Sequence, residues 1–533
     1  MNHSDAVFDV RYPRLVRDYV RGTGGARALF AHAPDRDGLL AAAAAAAAAR
    51  KGGIGPELTA ILIRQNQSAG APFAVMEAIT ALGRPDSLAV VTGQQPGLFG
   101  GPLYVAFKVI RAVHAAAELA RATGWPVVPV YWLGTDDHDF AEVDHTTVVD
   151  AEGHLRRIEV APARPAEQPA GATVIDDSFT AAVRDLVAAL RPTEFTPALK
   201  ALLEDGHVPG RTFGEAGLRL AVRLYGQLSV VVLDPMDPAF RTLMRPVLER
   251  ACAGMGAGPL AEAARAVTAA GYEPQVRTEE GRVHAFAERE GLRVALFRRG
   301  TCLCDRDGKP VDISRLPLTP HVLSRSLCQD AVFPTAAYVA GPGEIGYFTL
   351  MRGIYAAHNI PMPVILPRYM GTLIDERTAR YLDALRMEAE PFILAARDVA
   401  VHEVFRRHTA ADPTAVVDTM TRLADSLVDG VRQLFPSETG DKAFEADLRD
   451  LSKGVEKQFD ALTGGMRKRS KERHETALKR AAALSDSLNP GGELQERTFN
   501  LFPFMNLFGG AAFVAALSEK LRGSAEGHNL WRI

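Results

Sequence analysis

The feature that most constrains the fold is a series of short apolar runs, each followed by a helix-length segment, that begins at Leu88. These runs cover residues 88–91, 126–133, 228–233, 336–340 and 363–366. Buried runs of this length that alternate with helical segments are typical of a parallel sheet with crossover helices. The sequence therefore predicts the α/β class, with an open parallel sheet as its core.

The alternation is interrupted twice, which indicates insertions into one large core domain. Residues 150–225 lose the strict alternation, and residues 240–325 carry short β-like pieces. A chain of 533 residues also exceeds what one hydrophobic core usually supports. We therefore expect a core over residues 1–373 that carries both insertions.

The character of the chain changes after residue 373, where long charged helices follow without strands. Apolar residues recur three and four positions apart through 417–434 and 444–466, which is coiled-coil spacing. This pattern predicts an all-α domain over 374–490, as two antiparallel arms or as the seam of a dimer. The last segment, 491–533, is expected to pack back on the core.

Charge and composition exclude several classes of partner. Lys and Arg total 61 against 64 for Asp and Glu, so the net charge of −3 gives no global attraction to nucleic acid or to anionic membranes. No apolar run approaches the roughly 20 residues that span a bilayer. The N-terminus also lacks a signal-peptide core. We expect a cytoplasmic protein with neither a nucleic-acid nor a membrane partner.

A glycine-rich segment, TGQQPGLFGGP at 92–102, lies between the first predicted strand and a helix. Glycines let the backbone approach an anion, and the first N–H groups of a helix lack intrahelical partners. Tyr104 and Lys108 share a face of that helix, so Lys108 could reach back towards a bound phosphate. The spacing matches neither a Walker loop nor GxGxxG. The alternatives are a turn that needs glycine only for tight packing and a lysine on a solvated face.

Three further predicted strand ends carry polar residues. The second strand runs into GTDDHDF at 134–140, the fourth into GPGE at 341–344, and the last into Arg368. Ligands collect at the carboxyl ends of parallel strands. The DDHD cluster could bind Mg²⁺, hold a substrate ammonium or place His138 as an acid or base. The alternative is a turn whose Asp and His residues cap the next element, and Glu344 could likewise cap a helix or bind an amine.

Five segments together resemble a known family. They are VVTGQQPGLFGGPLYVAFK at 90–108, VPVYWLGTDDHDFAEVDH at 128–145, TAAYVAGPGEIGYF at 335–348, PMPVILPR at 361–368 and LQERTFNLFPFMNLFG at 494–509. These blocks resemble the bacillithiol biosynthesis cysteine-adding enzymes, the BshC family of cysteine ligases. The resemblance covers nearly the whole chain.

The resemblance implies a Rossmann-like core similar to nucleotidyltransferases, with connecting insertions, and a C-terminal coiled coil that makes a homodimer. It also implies an amide-forming ligase that adds L-cysteine to the amino group of glucosaminyl-malate, with ATP and Mg²⁺. The cysteine carboxylate would first become an acyl-adenylate or acyl-phosphate, because amide formation needs a leaving group.

The same resemblance suggests roles for the strand-end residues. His138 is the candidate base for the attacking amine, and His138, Asp137 and Lys108 form the expected catalytic set. Asp136 and Asp137 are the candidate Mg²⁺ ligands, and Arg368 could pair with a malyl carboxylate or a phosphate. The residues expected to bind nucleotide or substrate are Thr92, Gly93, Gln94, Gln95, Gly97, Gly100, Gly101, Tyr104, Asp136, Asp139, Gly341, Gly343, Glu344 and Arg368.

The sequence departs from the nucleotidyltransferase pattern at two places. Gln94 and Gln95 stand where such enzymes carry a histidine pair, and Met370-Gly371-Thr372 supplies no lysine after the last core strand. Glutamine can hydrogen-bond a phosphate but carries no charge. A metal-assisted hydrolase or deacetylase that uses the DDHD cluster, and a non-catalytic coiled-coil scaffold, therefore stay open as alternatives.

Overall fold

The computed structural model describes residues 2–49, 53–151, 153–276, 279–408 and 413–533. The chain divides into two compact units, one made of Met1–Ile374 with Glu493–Ile533, and one of Asp375–Gly492. The strands are β1 (Asn2–His3), β2 (Leu88–Gln94), β3 (Val127–Leu133), β4 (His145–Val149), β5 (Leu155–Glu159), β6 (Val231–Leu233), β7 (Arg282–Arg289), β8 (Leu292–Arg299), β9 (Cys302–Cys304), β10 (Leu318–Pro320), β11 (Thr335–Ala340), β12 (Val364–Pro367), β13 (Met370–Ile374) and β14 (His528–Arg532).

The α-helices of the first unit begin with a helical N-terminal region. They are α1 (Asp5–Arg11), α2 (Arg14–Arg21), α3 (Arg36–Ala49), α4 (Pro56–Ser68), α5 (Phe73–Leu82), α6 (Leu103–Thr123), α7 (Asp177–Ala189), α8 (Thr196–Gly206), α9 (Phe213–Tyr225), α10 (Pro238–Cys252), α11 (Ala257–Ala269), α12 (Val322–Val332), α13 (Pro342–Phe348) and α14 (Arg352–His358). The second unit follows with α15 (Glu376–Leu385), α16 (Glu390–Leu394), α17 (Arg397–His408), α18 (Pro413–Leu434), α19 (Lys442–Arg473) and α20 (Glu475–Leu488). The chain then returns to the first unit with α21 (Gln495–Thr498), α22 (Phe502–Phe508) and α23 (Phe513–Leu521).

The core is a five-stranded sheet in the order β12-β11-β2-β3-β6, and every pairing in it is parallel. Helices cover both faces of this sheet. Tyr131 of β3 contacts Tyr225 of α9, and Trp132 contacts Phe240 of α10. Adjacent residues of a strand point to opposite faces, so these two helices lie on opposite sides of the sheet. Burial on both faces explains why these strands read as continuous apolar runs. The predicted α/β class with a parallel sheet is confirmed.

Both interruptions of the alternation hold antiparallel or helical structure. The first contains β5, which forms an antiparallel hairpin with β4 just before it, and helices α7 to α9. The second contains α10 and α11 and a separate antiparallel sheet in the order β10-β7-β8-β9. These segments lie between strands of the core sheet in sequence, so they extend the core without adding strands to it.

The C-terminal segment belongs to the first unit, where it pairs with the chain's beginning. Strand β14 lies parallel to β13 and antiparallel to β1. At Gly371 of β13, an added Cβ would lie 2.3 Å from the Asn529 carbonyl oxygen and 2.4 Å from the Trp531 ring. That approach requires glycine, because real Cβ contacts are not this short.

The second unit is all helical, with α18 packed along α19. Ala424 and Leu448 are buried between them, whereas Leu427 and Leu462 are 46% and 48% exposed. The side chains of Val417 and Met466, at the ends of the predicted stripes, lie outside the described residues. The helix pair therefore buries only some of its regularly spaced apolar side chains.

Among the described residues, no helix taken singly has the length and apolar composition needed to cross a membrane. One pair bent by 111°, Phe502–Phe508 with Gly510–Leu521, meets the criteria only when its two helices are counted together.

Asn500 offers a test of how the C-terminal segment supports the glycine-rich segment. Its buried Nδ2 donates to the carbonyls of Phe99 and Gly101 at 3.0 and 3.1 Å, and its Oδ1 accepts from the Phe502 N–H at 2.8 Å. Asn500→Ala should lower the free energy of unfolding by roughly 2–4 kcal/mol, because it leaves buried polar groups unpaired. Urea denaturation measures this, and the exposed Gln67→Ala should change stability by less than about 0.5 kcal/mol. Equal effects of the two variants would contradict the account.

Candidate functional site

A cavity of about 920 Å³ opens where the core strands end. Its wall is built from the residues that follow β2, β3, β11 and β12, together with residues of β7 and β8 and the start of α12. This is the position expected for a ligand site, because the carboxyl ends of parallel strands meet at one edge of the sheet.

The structure brings most of the predicted site residues to this wall. Those that line the cavity are Gly93, Gln94, Gln95, Tyr104, Lys108, Asp136, Asp137, His138, Gly341, Gly343, Glu344 and Arg368. Those that do not are Thr92, Gly97, Gly100, Gly101 and Asp139.

The glycines of the predicted anion-binding loop serve a tight turn. A Cβ on Gly97 would lie 2.7 Å from the Gly101 Cα, and Gly100 and Gly101 have φ angles of 86° and 75°. Such angles favour glycine. Thr92 is buried and donates to the Val339 carbonyl at 2.9 Å. The tight-packing alternative therefore describes this part of the loop.

Lys108 is a buried residue whose charge is already paired. Its side chain is 3% exposed and forms an ion pair with Glu344, and its Nζ also donates to the Gly93 carbonyl at 2.8 Å and to Gln94 Oε1 at 3.0 Å. Burial lowers the pKa of Lys108, although Glu344 opposes that shift. The alternative of a lysine on a solvated face is wrong.

Glu344 completes this pair as a fully hydrogen-bonded carboxylate. It accepts from the Tyr338 hydroxyl and from the Gly341 N–H, both at 2.6 Å. Burial opposes its ionisation, but Lys108 and the Gly341 N–H outweigh that effect, so the pKa of Glu344 lies below its ordinary value. Glu344 thus caps the start of α13 and balances Lys108.

Asp137 sits in a network that reaches across the cavity wall. Its Oδ2 accepts from Gln95 Nε2 at 2.8 Å, and its Oδ1 accepts from the His138 N–H at 2.7 Å and lies 3.4 Å from Arg293 Nη1. Burial raises the pKa of Asp137, but the His138 side chain, Arg293 and the backbone N–H groups of Asp139 and His138 outweigh that effect, so the pKa of Asp137 lies below its ordinary value. Asp137 is therefore an ionised carboxylate with both oxygens engaged.

Asp136 differs from its neighbour, because its carboxyl group lacks a side-chain hydrogen-bond donor among the described residues. Its side chain lies in the cavity wall, the residue is only 5% exposed, and no side chain of the described residues donates a hydrogen bond to its carboxyl group. Burial raises its pKa despite the nearby Arg293. A buried carboxyl group to which no described side chain donates keeps lone pairs for a ligand.

The two candidate Mg²⁺ ligands fit a metal unequally. In the part of the chain that the structure describes, no three His, Cys, Asp or Glu side chains converge as a metal-binding group. Mg²⁺ commonly takes only one or two protein carboxylates and fills its shell with waters and phosphate oxygens. Asp136 suits that arrangement, whereas the Asp137 oxygens already accept hydrogen bonds.

Arg368 is held in a buried ion pair at the edge of the cavity. Its Nη2 lies 2.7 Å from Glu496 Oε1, its Nη1 donates to the Tyr369 carbonyl at 2.7 Å, and the Arg368 and Glu496 side chains are 3% and 0% exposed. Glu496 also accepts from the Gly371 N–H at 2.8 Å. The charge of Arg368 is therefore balanced by Glu496 within the protein. This ion pair joins the C-terminal segment to the end of β12.

Sequence reasoning missed several cations in the wall. Among the described residues, the acceptors of the Arg325 side chain of α12 are neutral groups: the hydroxyls of Tyr338 at 2.9 Å and Tyr347 at 3.2 Å, and Gln329 Oε1 at 3.3 Å. A Cβ on Gly93 would lie 3.1 Å from Arg325 Nη1, so glycine leaves room beside this cation.

Three more arginines reach the cavity from the second interruption of the core, namely Arg282, Arg293 and Arg306. An arginine inside an apolar strand such as LRVALF at 292–297 is an unusual pattern. It signals a special environment, but nothing in the sequence shows that this sheet lies over the carboxyl ends of the core strands.

The Lys108–Glu344 pair makes a prediction about stability. Lys108→Met should lower the free energy of unfolding by about 3–5 kcal/mol, because it leaves a buried carboxylate unpaired. Removing both charges, with Lys108→Met and Glu344→Leu together, should cost less than the single change. Urea denaturation of the two variants measures this, and an equal or larger loss in the double variant would contradict it.

The same pair predicts a dependence on pH. Because the pKa of Glu344 is lowered from 4.5 in the folded state, its contribution is present above that value and is lost as pH falls through the folded pKa. The wild-type protein should therefore lose stability more steeply over this acidic range than Glu344→Gln does. Parallel loss in both proteins, measured by urea denaturation across the range, would show that Glu344 does not contribute.

Comparison with known proteins assigns the chain to a family. Residues 5–369 match "Bacillithiol biosynthesis BshC, N-terminal Rossmann-like domain", and residues 371–533 match "Bacillithiol biosynthesis BshC, C-terminal coiled-coil domain". Three similar proteins carry the name "Putative cysteine ligase BshC". That of Solibacter usitatus is 31% identical and covers 80% of this chain and 81% of its own. The protein of Salinibacter ruber is 31% identical, over 89% of this chain and 88% of its own length. The protein of Geobacillus kaustophilus is 28% identical, over 93% of this chain and 94% of its own length. Since the matched domains span nearly all of its length, the chain belongs to the bacillithiol biosynthesis BshC family.

Proposed function

We propose that this chain is an ATP-dependent ligase that joins the carboxyl group of L-cysteine to the amino group of glucosaminyl-malate and so forms bacillithiol. The names of the relatives support a ligase that uses cysteine. The observation that carries the proposal is the cavity itself, because the carboxyl group of Asp136 and the guanidinium group of Arg325 both belong to residues of its wall. A site for a nucleotide with Mg²⁺ and an amino acid needs both signs of charge.

ATP supplies the leaving group that turns the cysteine carboxylate into a reactive acyl species. The protein's part is to bind and orient charged substrates, with fixed charges placed where charge develops in the reaction. Asp136 would hold Mg²⁺ through its carboxyl group, to which no described side chain donates. Arg325 and Arg282 would face anionic groups of the substrates, because among the described residues neither forms an ion pair with a carboxylate. Arg306 would join them, although it pairs with Glu279 at 3.5 Å.

The Lys108–Glu344 pair would act indirectly in this scheme. Lys108 Nζ holds the Gly93 carbonyl and the Gln94 side chain, so it anchors the end of β2 beside Arg325. A rigid support is what a substrate-binding wall needs, because small misplacements of reacting groups cost rate.

We also propose that the chain forms a homodimer through α18 and α19. Their exposed apolar side chains form a stripe that a single copy leaves uncovered: Leu423, Leu427, Leu434, Leu451 and Leu462. Exposed apolar patches on paired helices with this spacing mark protein contacts, and a second copy offers the same stripe.

The ligase proposal predicts a product that depends on ATP. Purified protein given isotope-labelled cysteine, glucosaminyl-malate, Mg²⁺ and ATP should form labelled bacillithiol, detected by mass spectrometry, and omission of ATP should abolish it. Asp136→Asn should lower the rate by about 10²-fold or more, because it removes the carboxylate charge at the site. The released nucleotide, AMP or ADP, identifies the intermediate.

Asp139→Asn is the matched control for this experiment. Asp139 belongs to the same DDHD cluster but is exposed and does not line the cavity, so its variant should keep the wild-type rate within about twofold. Equal losses in both variants would argue against the assigned site. Turnover of the substrates without ATP, abolished by chelation, would favour the hydrolase alternative.

The dimer proposal predicts a mass of twice 57.4 kDa in sedimentation or light-scattering measurements. Leu427→Glu combined with Leu462→Glu should shift the protein to a monomer, because a dimer would bury these charges in its apolar seam. Val399→Glu, which changes a residue that is 62% exposed on α17, is the control and should leave the mass unchanged. A wild-type monomer at micromolar concentration would refute the proposal.

A further inference from the structure

We propose that His138 donates a hydrogen bond through its Nε2–H to an anionic oxygen of the ligand, and that Arg293 is the positioning residue that fixes this tautomer. This assignment replaces the prediction that His138 is the base for the attacking amine. It deepens the proposed function and rests on it for the identity of the ligand, an acyl or phosphoryl oxygen that carries negative charge. The tautomer of the imidazole ring follows from a contact within the protein.

The tautomer follows from the identity of the neighbour at Nδ1. Arg293 Nη1 lies 3.0 Å from His138 Nδ1, which is hydrogen-bond distance. A guanidinium group has donors and no acceptor, and it keeps its charge in proteins. Nδ1 must therefore accept with its lone pair, and a neutral imidazole then carries its single proton on Nε2.

Asp137 does not reverse this arrangement. Its Oδ1 lies 3.5 Å from His138 Nδ1, farther than Arg293 does, and the same oxygen accepts from the His138 backbone N–H at 2.7 Å. Arg293 Nη1 contacts both groups, since it also lies 3.4 Å from Asp137 Oδ1. One cation thus stabilises an ionised Asp137 and an unprotonated Nδ1 together.

Arg293 is locked in place by the sheet that carries it. Its Nη2 donates to the Pro320 carbonyl at 2.6 Å, its Nε donates to Thr319 Oγ1 at 3.3 Å, and its guanidinium carbon lies 3.9 Å from the centre of the Phe286 ring. The side chain is 5% exposed. Because its three nitrogens are all engaged, Arg293 has little capacity to bind a ligand and acts through His138.

The imidazole ring of His138 is partly exposed in the cavity wall. The ring lines the cavity wall, its side chain is 40% exposed, and it meets Phe286 edge to face at 5.8 Å. Among the described residues, no polar atom forms a hydrogen bond with Nε2. A protonated Nε2 has no lone pair, so in this state the ring can stabilise negative charge but cannot take a proton from an amine.

The tautomer can be tested without any enzymatic activity. In protein labelled with ¹⁵N-histidine, long-range ¹H–¹⁵N spectra distinguish protonated from unprotonated ring nitrogens, and the His138 signals are those lost in His138→Gln. We expect an unprotonated Nδ1 and a protonated Nε2 in the wild-type protein. A protonated Nδ1 with an unprotonated Nε2 would overturn the proposal, and this measurement needs no variant at Arg293.

The role is tested by two amide substitutions that mimic opposite ring nitrogens. The amide nitrogen of Gln can occupy the Nε2 position, whereas that of Asn lies nearer Nδ1. His138→Gln should keep kcat within about tenfold of wild type, and His138→Asn should lose about 10²–10³-fold, the usual effect of removing one donor to a developing negative charge. Equal, large losses in both variants would restore the base assignment.

Arg293 provides the final comparison. Arg293→Lys keeps the charge but not the rigid fork of donors, so it should lower kcat more than it raises KM, and it should weaken the preference for the Nε2–H tautomer in the spectra. An unchanged tautomer in a folded Arg293→Lys protein would show that Arg293 does not position the ring. If the wild-type protein forms no product at all, the ligase proposal fails, while the spectra still decide the state of His138.

Discussion

The parallel pairing of β2 with β3 and with β11 is the constraint on which the site depends. Parallel strands all end at one edge, so the pairing gathers Gln95, Asp137 and Glu344 although 42 and 207 positions separate them from one another in sequence. Helices on both faces exclude water from the sheet, which leaves that edge as the place where polar side chains can meet a ligand. Loops that follow the strands can then vary without disturbing the core.

Charge balance then divides the residues at this edge into two groups. Lys108 with Glu344, and Arg368 with Glu496, are buried pairs whose charges cancel inside the protein. Asp136 and Arg325 have no partner of opposite charge that forms an ion pair with them in the described structure. The pairs stabilise the cavity, because breaking either would leave a buried charge. In the proposed function, Asp136 and Arg325 are therefore the residues that bind charged groups of the substrates.

Some of this organisation is readable from the residues alone. The run Leu88–Val91 predicts a buried strand through its apolar residues, and the DDHD cluster is a candidate site because it follows the next such run. The roles of Lys108 and Arg368 were not readable in this way, because their partners come from α13 and from the C-terminal segment. Arg293 was missed for the same reason, since its strand is remote from the cavity in sequence.

By itself the sequence determined the α/β class, the strand ends where polar residues collect, and the helical spacing of residues 417–434 and 444–466. Each of these depends on local periodicity, which a single segment carries. Only the tertiary structure decided that the glycines at 97, 100 and 101 serve a turn, that Lys108 is neutralised, and that Arg293 meets His138. Those outcomes depend on contacts between distant segments, and the energy of a charge or a hydrogen bond is set by what surrounds it after folding.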